Sequence, residues 1–172
     1  MGIKDINSRF DEKIKELEIE LPNKTVGVNC AELTLTSVLE VLGVDNYRFH
    51  NIIKPLAGGF GGYKSKSGWM GACGAVAGAC AAIGVIMGGN KLMDDETTAL
   101  AYFKAAKYCS EFEDQFGSVV CSELCGIDFS KPENLMLYRE KGVWEKICYK
   151  FVVWAVDKIR NLTQEELKAN WE

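Results

Sequence analysis

The chain has 172 residues, of which 48% are hydrophobic and 26% are charged, and its formal net charge is −4. These values are ordinary for a folded protein and predict a single domain over residues 1–172. The acidic balance argues against a nucleic-acid partner, which would require a basic face. The sequence has one histidine, His50, which argues against His-rich metal sites and against Ser-His-Asp or Cys-His catalysis.

The first third of the chain has helical hydrophobic periodicity. A first amphipathic helix is marked by Ile3, Ile6, Phe10, Ile14 and Leu17, and a short extended piece is expected over residues 17–21. Asn29-Cys30-Ala31-Glu32 has the form of a capping box, so a second helix should begin there and end at Gly43. A third, short helix should end around Pro55 and be followed by a glycine-rich loop over residues 58–68.

Residues 69–89 carry no charge, and the segment is as long as a membrane span of ~20 residues. Its composition is mostly Gly and Ala, with few strongly apolar side chains. The pair Gly74 and Gly78 follows the small-xxx-small pattern that lets helices pack closely. We therefore expect a helix buried on all sides at the centre of a bundle, and no membrane span.

The second half of the chain also predicts helices. Asp94 or Asp95 should begin a long one whose apolar face is Leu100, Phe103, Ala106, Cys109, Phe112 and Phe116. A short helical turn should run from Gly117-Ser118 through Cys121 to Cys125. The last major helix should bury Trp144, Cys148, Val152, Ala155 and Ile159, and a second capping box at Thr163 should begin a polar tail helix. The predicted fold class is all-α.

The N-terminal residues are charged too early for a secretory signal, so a cytoplasmic location is expected. Thiols in that compartment stay reduced unless they are catalytic or bound to metal. An odd number of cysteines, 7, also disfavours a closed disulfide framework. Exposed aromatic residues such as Trp144 or Trp154 leave a homodimer as an open alternative to a monomer.

Cysteines are the candidate functional residues. Cys30, Cys73 and Cys121 lie at expected helix N-termini, where partial positive charge stabilises thiolate, while Cys148 is expected in mid-helix. Cys73 lies among Gly and Ala residues, which let other backbones approach it. Four ligands spread over the chain predict a site assembled by the tertiary fold, unlike the paired knuckles of structural zinc sites. We expect Cys80 and Cys109 to be isolated core residues, and Cys125 to be near the site but dispensable.

These motifs resemble the redox-active protein family named for its Cys, Gly-Cys-Ala-x-x-Gly, Cys, Cys signature. The resemblance covers about residues 30–160. It includes Cys73-Gly74-Ala75-Val76-Ala77-Gly78, although the family name orders the first Gly and Cys differently, and the contexts of Cys30, Cys121 and Cys148. A similar domain occurs at the N-terminus of split-Soret cytochromes, which implies an iron–sulfur centre; this chain has no Cys-x-x-Cys-His haem site.

The leading hypothesis is a small redox protein whose Cys30, Cys73, Cys121 and Cys148 bind an iron–sulfur cluster for electron transfer. The alternatives are a cofactor-free thiol–disulfide oxidoreductase in which the same four residues are catalytic, and a non-catalytic helical binding module. Enzymatic status stays open, because no flavin fingerprint or catalytic base is present. The partner would be an unidentified redox protein or small molecule.

Overall fold

The computed structural model describes residues 5–24 and 27–172, so the predicted helix position Ile3 lies outside the described part. Nine α-helices occur in the described residues, and apart from two isolated bridges these residues form no strand. The prediction of an all-α fold is confirmed. The helices are α1 (Ile6–Glu20), α2 (Cys30–Leu42), α3 (Tyr47–Gly61), α4 (Gly74–Gly88), α5 (Asp95–Phe116), α6 (Cys121–Cys125), α7 (Asn134–Glu140), α8 (Tyr149–Leu162) and α9 (Gln164–Trp171).

Helix α1 buries Ile6, Phe10 and Leu17 as its periodicity predicts. The extended piece expected over residues 17–21 is wrong, because α1 continues to Glu20 and a 3₁₀ turn, Leu21–Asn23, follows. Pro22 does not interrupt this turn, since its missing N–H falls at a helix start where no intrahelical donor is required.

Helix α2 begins and ends where its caps predict. The Asn29 side chain accepts a hydrogen bond from the backbone N–H of Glu32 at 3.0 Å, and Gly43 ends the helix in the left-handed region at φ 74°. The Glu32 carboxylate does not close the box. It contacts His50 at 3.3 Å and Lys54 at 3.2 Å, which holds α3 against the start of α2.

Helix α3 does not end at Pro55, so that prediction is wrong. Pro55 lies inside the helix, which continues to Gly61 and takes in the first part of the expected glycine-rich loop. A proline removes one N–H donor but leaves the following residues free to continue the helix. The Gly62 N–H donates to the Gly58 carbonyl at 3.0 Å, so helical bonding persists through the glycines.

Helix α4 is the centre of the bundle, as its composition predicts. It packs against α2, α3, α5, α8 and α9, and none of its residues is exposed. A Cβ at Gly78 would lie 2.5 Å from the Ala31 carbonyl oxygen, so the backbones of α4 and α2 touch at this point. Within the described residues no helix combines the length and apolarity required to cross a bilayer.

Helix α5 begins after the Asp94 cap, whose carboxylate accepts from the Thr97 N–H at 2.8 Å. The first half of its predicted apolar face is wrong, because Leu100 and Phe103 are 43% and 66% exposed. The second half is confirmed, since Phe112 is buried and Cys109 and Phe116 pack against the core. In the first half Ala101 is buried in place of Leu100. Alanine takes the core side here because α4 lies close, whereas the pattern favoured the larger apolar residues.

The C-terminal helices complete the core. A π-helical turn, Trp144–Cys148, precedes α8, and the whole predicted stripe from Trp144 to Ile159 is buried. Trp144 is 3% exposed and donates to the Leu21 carbonyl at 2.7 Å, while the Trp154 ring packs 5.4 Å from that of Phe116. Neither ring is therefore an exposed dimer contact, contrary to expectation. The Thr163 capping box also fails, because its hydroxyl donates back to the Ile159 carbonyl.

Candidate functional site

Two loops that carry cysteines are tied together by backbone hydrogen bonds. The Cys73 N–H donates to the Val119 carbonyl at 2.8 Å, and the Cys121 N–H donates to the Gly71 carbonyl at 3.2 Å. Cys73 is thereby fixed as the N-cap residue of α4, and Cys121 becomes the first residue of α6. A bridge between residues distant in sequence thus brings two of the predicted site residues to one end of α4.

Cys30 joins this end of α4 to the start of α8. Its thiol, at the first position of α2, hydrogen-bonds to the thiols of both Cys148 and Cys73. Cys73 and Cys148 are 3% and 6% exposed, whereas Cys30 is half-buried. Cys121 is in electrostatic range of both Cys73 and Cys148. The structure therefore brings together all four cysteines that the sequence selected.

The contacts between thiols divide the sulfurs into proton donors and acceptors. The hydrogen bond from Cys30, aided by the N–H groups of Ala75 and Val76, lowers the pKa of Cys73. Hydrogen bonds to Cys148 and Cys73, together with burial, raise the pKa of Cys30 well above its ordinary value. Cys73 therefore becomes a thiolate more readily than Cys30.

Cys121 and Cys125 form a second donor–acceptor pair, one helical turn apart. The hydrogen bond from Cys121 lowers the pKa of Cys125 to about 7, and the same contact raises the pKa of Cys121. When protonated, Cys125 donates to the Cys121 carbonyl at 2.9 Å. Cys125 is 8% exposed and interacts electrostatically with Cys73, so it lies beside the site.

Helix N-termini were expected to lower the pKa of Cys30, Cys73 and Cys121. Only the pKa of Cys73 is lowered, chiefly by the Cys30 thiol and to a smaller extent by the N–H groups at the start of α4. The N-terminal positions are as predicted, but the local backbone is not the dominant influence on Cys30 or Cys121. Each donates a hydrogen bond to a neighbouring sulfur, which keeps the donor protonated. Because these neighbours come from elsewhere in the fold, sequence alone could not reveal them.

Tyr138 is a site residue that the sequence analysis missed. Its hydroxyl on α7 hydrogen-bonds to Cys148 and lies in range of Cys30 and Cys125. Burial, followed by the charge on Cys148, raises the pKa of this hydroxyl, so it acts as a permanent hydrogen-bond donor. No motif marks Tyr138; only its packing beside Cys148 identifies it.

A cavity of about 540 Å³ opens onto the cysteines. Cys30, Cys121 and Cys148 line it, together with Gly61 and Tyr138. This volume lies in the range of small-molecule and cofactor sites. A Cβ at Gly61 would come within 3.1 Å of the Cys121 sulfur, and one at Gly74 within 3.1 Å of the Cys30 Cβ. Glycine at these two positions therefore lets the walls lie in close contact with the side chains of Cys121 and Cys30.

The contacts between the protonated thiols limit what the site can bind without rearrangement. Across residues 5–24 and 27–172, no three His, Cys, Asp or Glu side chains are arranged to hold one metal ion. The thiols are directed at one another, so rotation about χ1 and loss of protons must precede ligation of any metal. What the site offers is an all-thiol set of side chains beside a cavity with glycine in its wall.

Cys80 and Cys109 are not isolated, contrary to expectation. Their thiols hydrogen-bond to each other across the contact between α4 and α5, and both side chains are half-buried. The sequence analysis assigned each to the apolar face of its own helix. It could not show that those two faces meet.

Tyr108 carries a buried hydroxyl that finds no partner. The side chain is 0% exposed, its hydroxyl makes no hydrogen bond, and it lies in electrostatic range of Cys73, Cys80 and Cys109. An unsatisfied buried hydroxyl costs about 1–3 kcal/mol. We expect Tyr108→Phe to raise the free energy of unfolding by about 1 kcal/mol in urea titrations.

Tyr138→Phe is the matched control for this substitution, since it removes a hydroxyl that is already hydrogen-bonded to Cys148. It should give no stabilisation. A Tyr108→Phe protein less stable than wild type would show that the Tyr108 hydroxyl has a partner in solution.

One comparison with known proteins identifies the family of the chain. The family described as "Putative redox-active protein (C_GCAxxG_C_C)" matches residues 28–162, well over half of the chain. The match contains every cysteine discussed above. No curated protein and no solved structure matches the chain.

Proposed function

Since the chain belongs to the redox-active family with the C_GCAxxG_C_C signature, we propose that it is a small redox protein whose Cys30, Cys73, Cys121 and Cys148 hold an iron–sulfur cluster. The observation that carries this proposal is the contact of Cys30 with both Cys73 and Cys148. These three residues come from the starts of α2, α4 and α8, so only the tertiary fold unites them.

The chemistry of the donor set suits a cluster. Four thiolates satisfy a [2Fe–2S] or [4Fe–4S] centre, which would supply one-electron transfer. The low exposure of Cys73 and Cys148 would exclude water from two of the ligands. The Tyr138 hydroxyl would donate to the Cys148 sulfur, a type of contact that tunes the potential of such centres.

Anaerobic reconstitution with iron and sulfide tests the proposal. We expect iron and sulfide to be retained in a fixed ratio after desalting, with visible absorption that bleaches on reduction. Because ligation requires loss of the thiol protons, retention should fall as the pH is lowered. Sub-stoichiometric iron without a visible chromophore would exclude the cluster.

A thiol–disulfide oxidoreductase is the second candidate, favoured by the lowered pKa of Cys73 beside a partner thiol on Cys30. In that case Cys73 would be the nucleophile and Cys30 the resolving thiol. Differential alkylation with mass spectrometry separates the two functions. Reversible, paired loss of reduced Cys30 and Cys73 on mild oxidation of the metal-free protein would support it, and independent oxidation would exclude it.

Gly61→Ala should damage the cluster site without unfolding the protein. The added Cβ meets the Cys121 sulfur at 3.1 Å, and this side chain can yield by a few tenths of an ångström. Replacing a helical glycine also gains about 0.5–1 kcal/mol. We therefore expect little change in the free energy of unfolding but several-fold less retained iron.

Gly58→Ala is the control, because a Cβ there meets nothing within 4 Å although Gly58 also lines the cavity. Iron retention equal in the two variants would show that the position of Cys121 does not matter to the cluster.

The redox partner would be a protein or a small molecule that reaches the cluster through the cavity. A neighbouring cleft of about 690 Å³ shares Tyr138 with the cavity and also carries Lys24, Arg139 and Glu145. Its small excess of positive charge would favour an acidic partner surface. Seven free thiols suit a reducing compartment such as the cytoplasm. Light scattering would distinguish a monomer from a homodimer.

A further inference from the structure

A second pair of thiols lies outside the four-cysteine site. Cys80 is on α4 and Cys109 on α5, two helices that pack against each other. Cys80 is seven residues beyond Cys73 on the same helix axis, which places it about 10 Å further along. The pair is therefore separate from the proposed cluster ligands.

Three features make this pair reactive. Helices α4 and α5 pack against each other and the two thiols interact across that contact, so their sulfurs are neighbours. Both side chains are half-buried, which leaves a route to a reagent in solution. The surrounding residues of α4 are mostly Ala and Gly, and small side chains allow the short approach that a disulfide between helices demands.

Electrostatics assigns different roles to the two sulfurs. The hydrogen bond from Cys80 lowers the pKa of Cys109 to about 7, while the same contact and burial raise the pKa of Cys80. The unpartnered Tyr108 hydroxyl, in range of both, is a further donor available to a thiolate here. Cys109 is thus the attacking residue and Cys80 the resolving one.

We propose that Cys80 and Cys109 form a second redox site, a dithiol that is reversibly oxidised to a disulfide by low-molecular-weight disulfides. The Cys109 thiolate attacks one sulfur of the small disulfide, breaks its S–S bond and expels one thiolate. Cys80 then gives up its proton, attacks the Cys109 sulfur and expels the second thiolate. Two protein thiols are oxidised, one small disulfide is reduced to two thiols, and the protons end on those products.

The test uses the wild-type full-length chain and oxidised glutathione as the probe. After acid quenching, reduced thiols are blocked with a light maleimide and oxidised ones are reduced and labelled with a heavy maleimide. Digestion with trypsin and Glu-C places Cys109 alone in Tyr108–Glu111, and fragmentation distinguishes Cys73 from Cys80 within Ser67–Lys91. We expect equal heavy label on Cys80 and Cys109 and, without reduction, these two peptides joined.

Single serine variants test the order of attack. In Cys80→Ser, Cys109 should accumulate the glutathione mixed disulfide, since nothing resolves it. In Cys109→Ser, modification of Cys80 should be at least about tenfold slower than that of Cys109 in Cys80→Ser, because burial still raises the pKa of Cys80 after the Cys109 thiol is removed. Circular dichroism establishes that each variant is folded.

Two results would overturn the proposal. One is light label alone on Cys80 and Cys109 in the wild type at glutathione concentrations that oxidise other thiols of the chain. The other is Cys80 joined to Cys73 in place of Cys109. The labelling of the wild-type protein tests the proposal even if a variant fails to fold. Neither result depends on whether iron binds at Cys30.

Discussion

Gly78→Ala should lower the free energy of unfolding by about 1–2 kcal/mol. The new Cβ would lie 2.5 Å from the Ala31 carbonyl oxygen and 2.9 Å from the Thr34 Cβ, and two packed helices can relieve such contacts only by separating. Overpacking of this kind costs about 1–3 kcal/mol or more, against which the helix gains less than 1 kcal/mol from alanine. Urea denaturation measures the difference.

Gly84→Ala is the matched control in the same helix. A Cβ at Gly84 meets nothing within 4 Å, so we expect a gain of about 0.5–1 kcal/mol. Equal effects at Gly78 and Gly84 would contradict the close approach of α2 and α4. That approach also places Cys30 beside Cys73, so Gly78→Ala should weaken iron binding as well.

Replacement of single cysteines should have the largest effect on bound iron. Cys→Ser at Cys30, Cys73, Cys121 or Cys148 should reduce retained iron at least about tenfold, since each change removes a thiolate ligand. Cys125→Ser should retain iron, because Cys125 lies beside the site but is outside the proposed ligand set. Iron analysis after anaerobic reconstitution, with folding checked by circular dichroism, measures these effects.

Cys80→Ser and Cys109→Ser serve as controls for that series. Both residues are half-buried and hydrogen-bonded to another thiol, like several of the proposed ligands, yet they lie outside the cluster site. Both variants should retain wild-type iron. A loss of iron in Cys125→Ser with retention in Cys121→Ser would exchange the roles of those two residues.

The ends of the helices were predicted best where a capping residue fixes them. Asn29, Gly43 and Asp94 act within one helical turn, so the sequence contains the whole interaction. Pro55 misled the prediction because it removes only one hydrogen bond, and the packing of α3 beside α2 outweighs that loss. Only the first half of the apolar face of α5 was misplaced, because closeness to α4 favours Ala101 over Leu100 in the core.

For the cysteines too, local features could be predicted from the sequence and tertiary contacts could not. Sequence context selected Cys30, Cys73, Cys121 and Cys148, because small neighbours and helix starts are local signals. Which sulfurs touch is a tertiary property. The direction of each thiol hydrogen bond, the position of Tyr138 and the pairing of Cys80 with Cys109 all depend on contacts between elements distant in sequence.

X-ray absorption at the iron edge of the reconstituted wild-type protein tests the central claim most directly. A cluster held by Cys30, Cys73, Cys121 and Cys148 should give a first shell of sulfur alone, at a metal–sulfur distance of about 2.3 Å, and a second scatterer that is a neighbouring iron. A first shell containing oxygen or nitrogen, or an iron atom with no iron neighbour, would contradict the account.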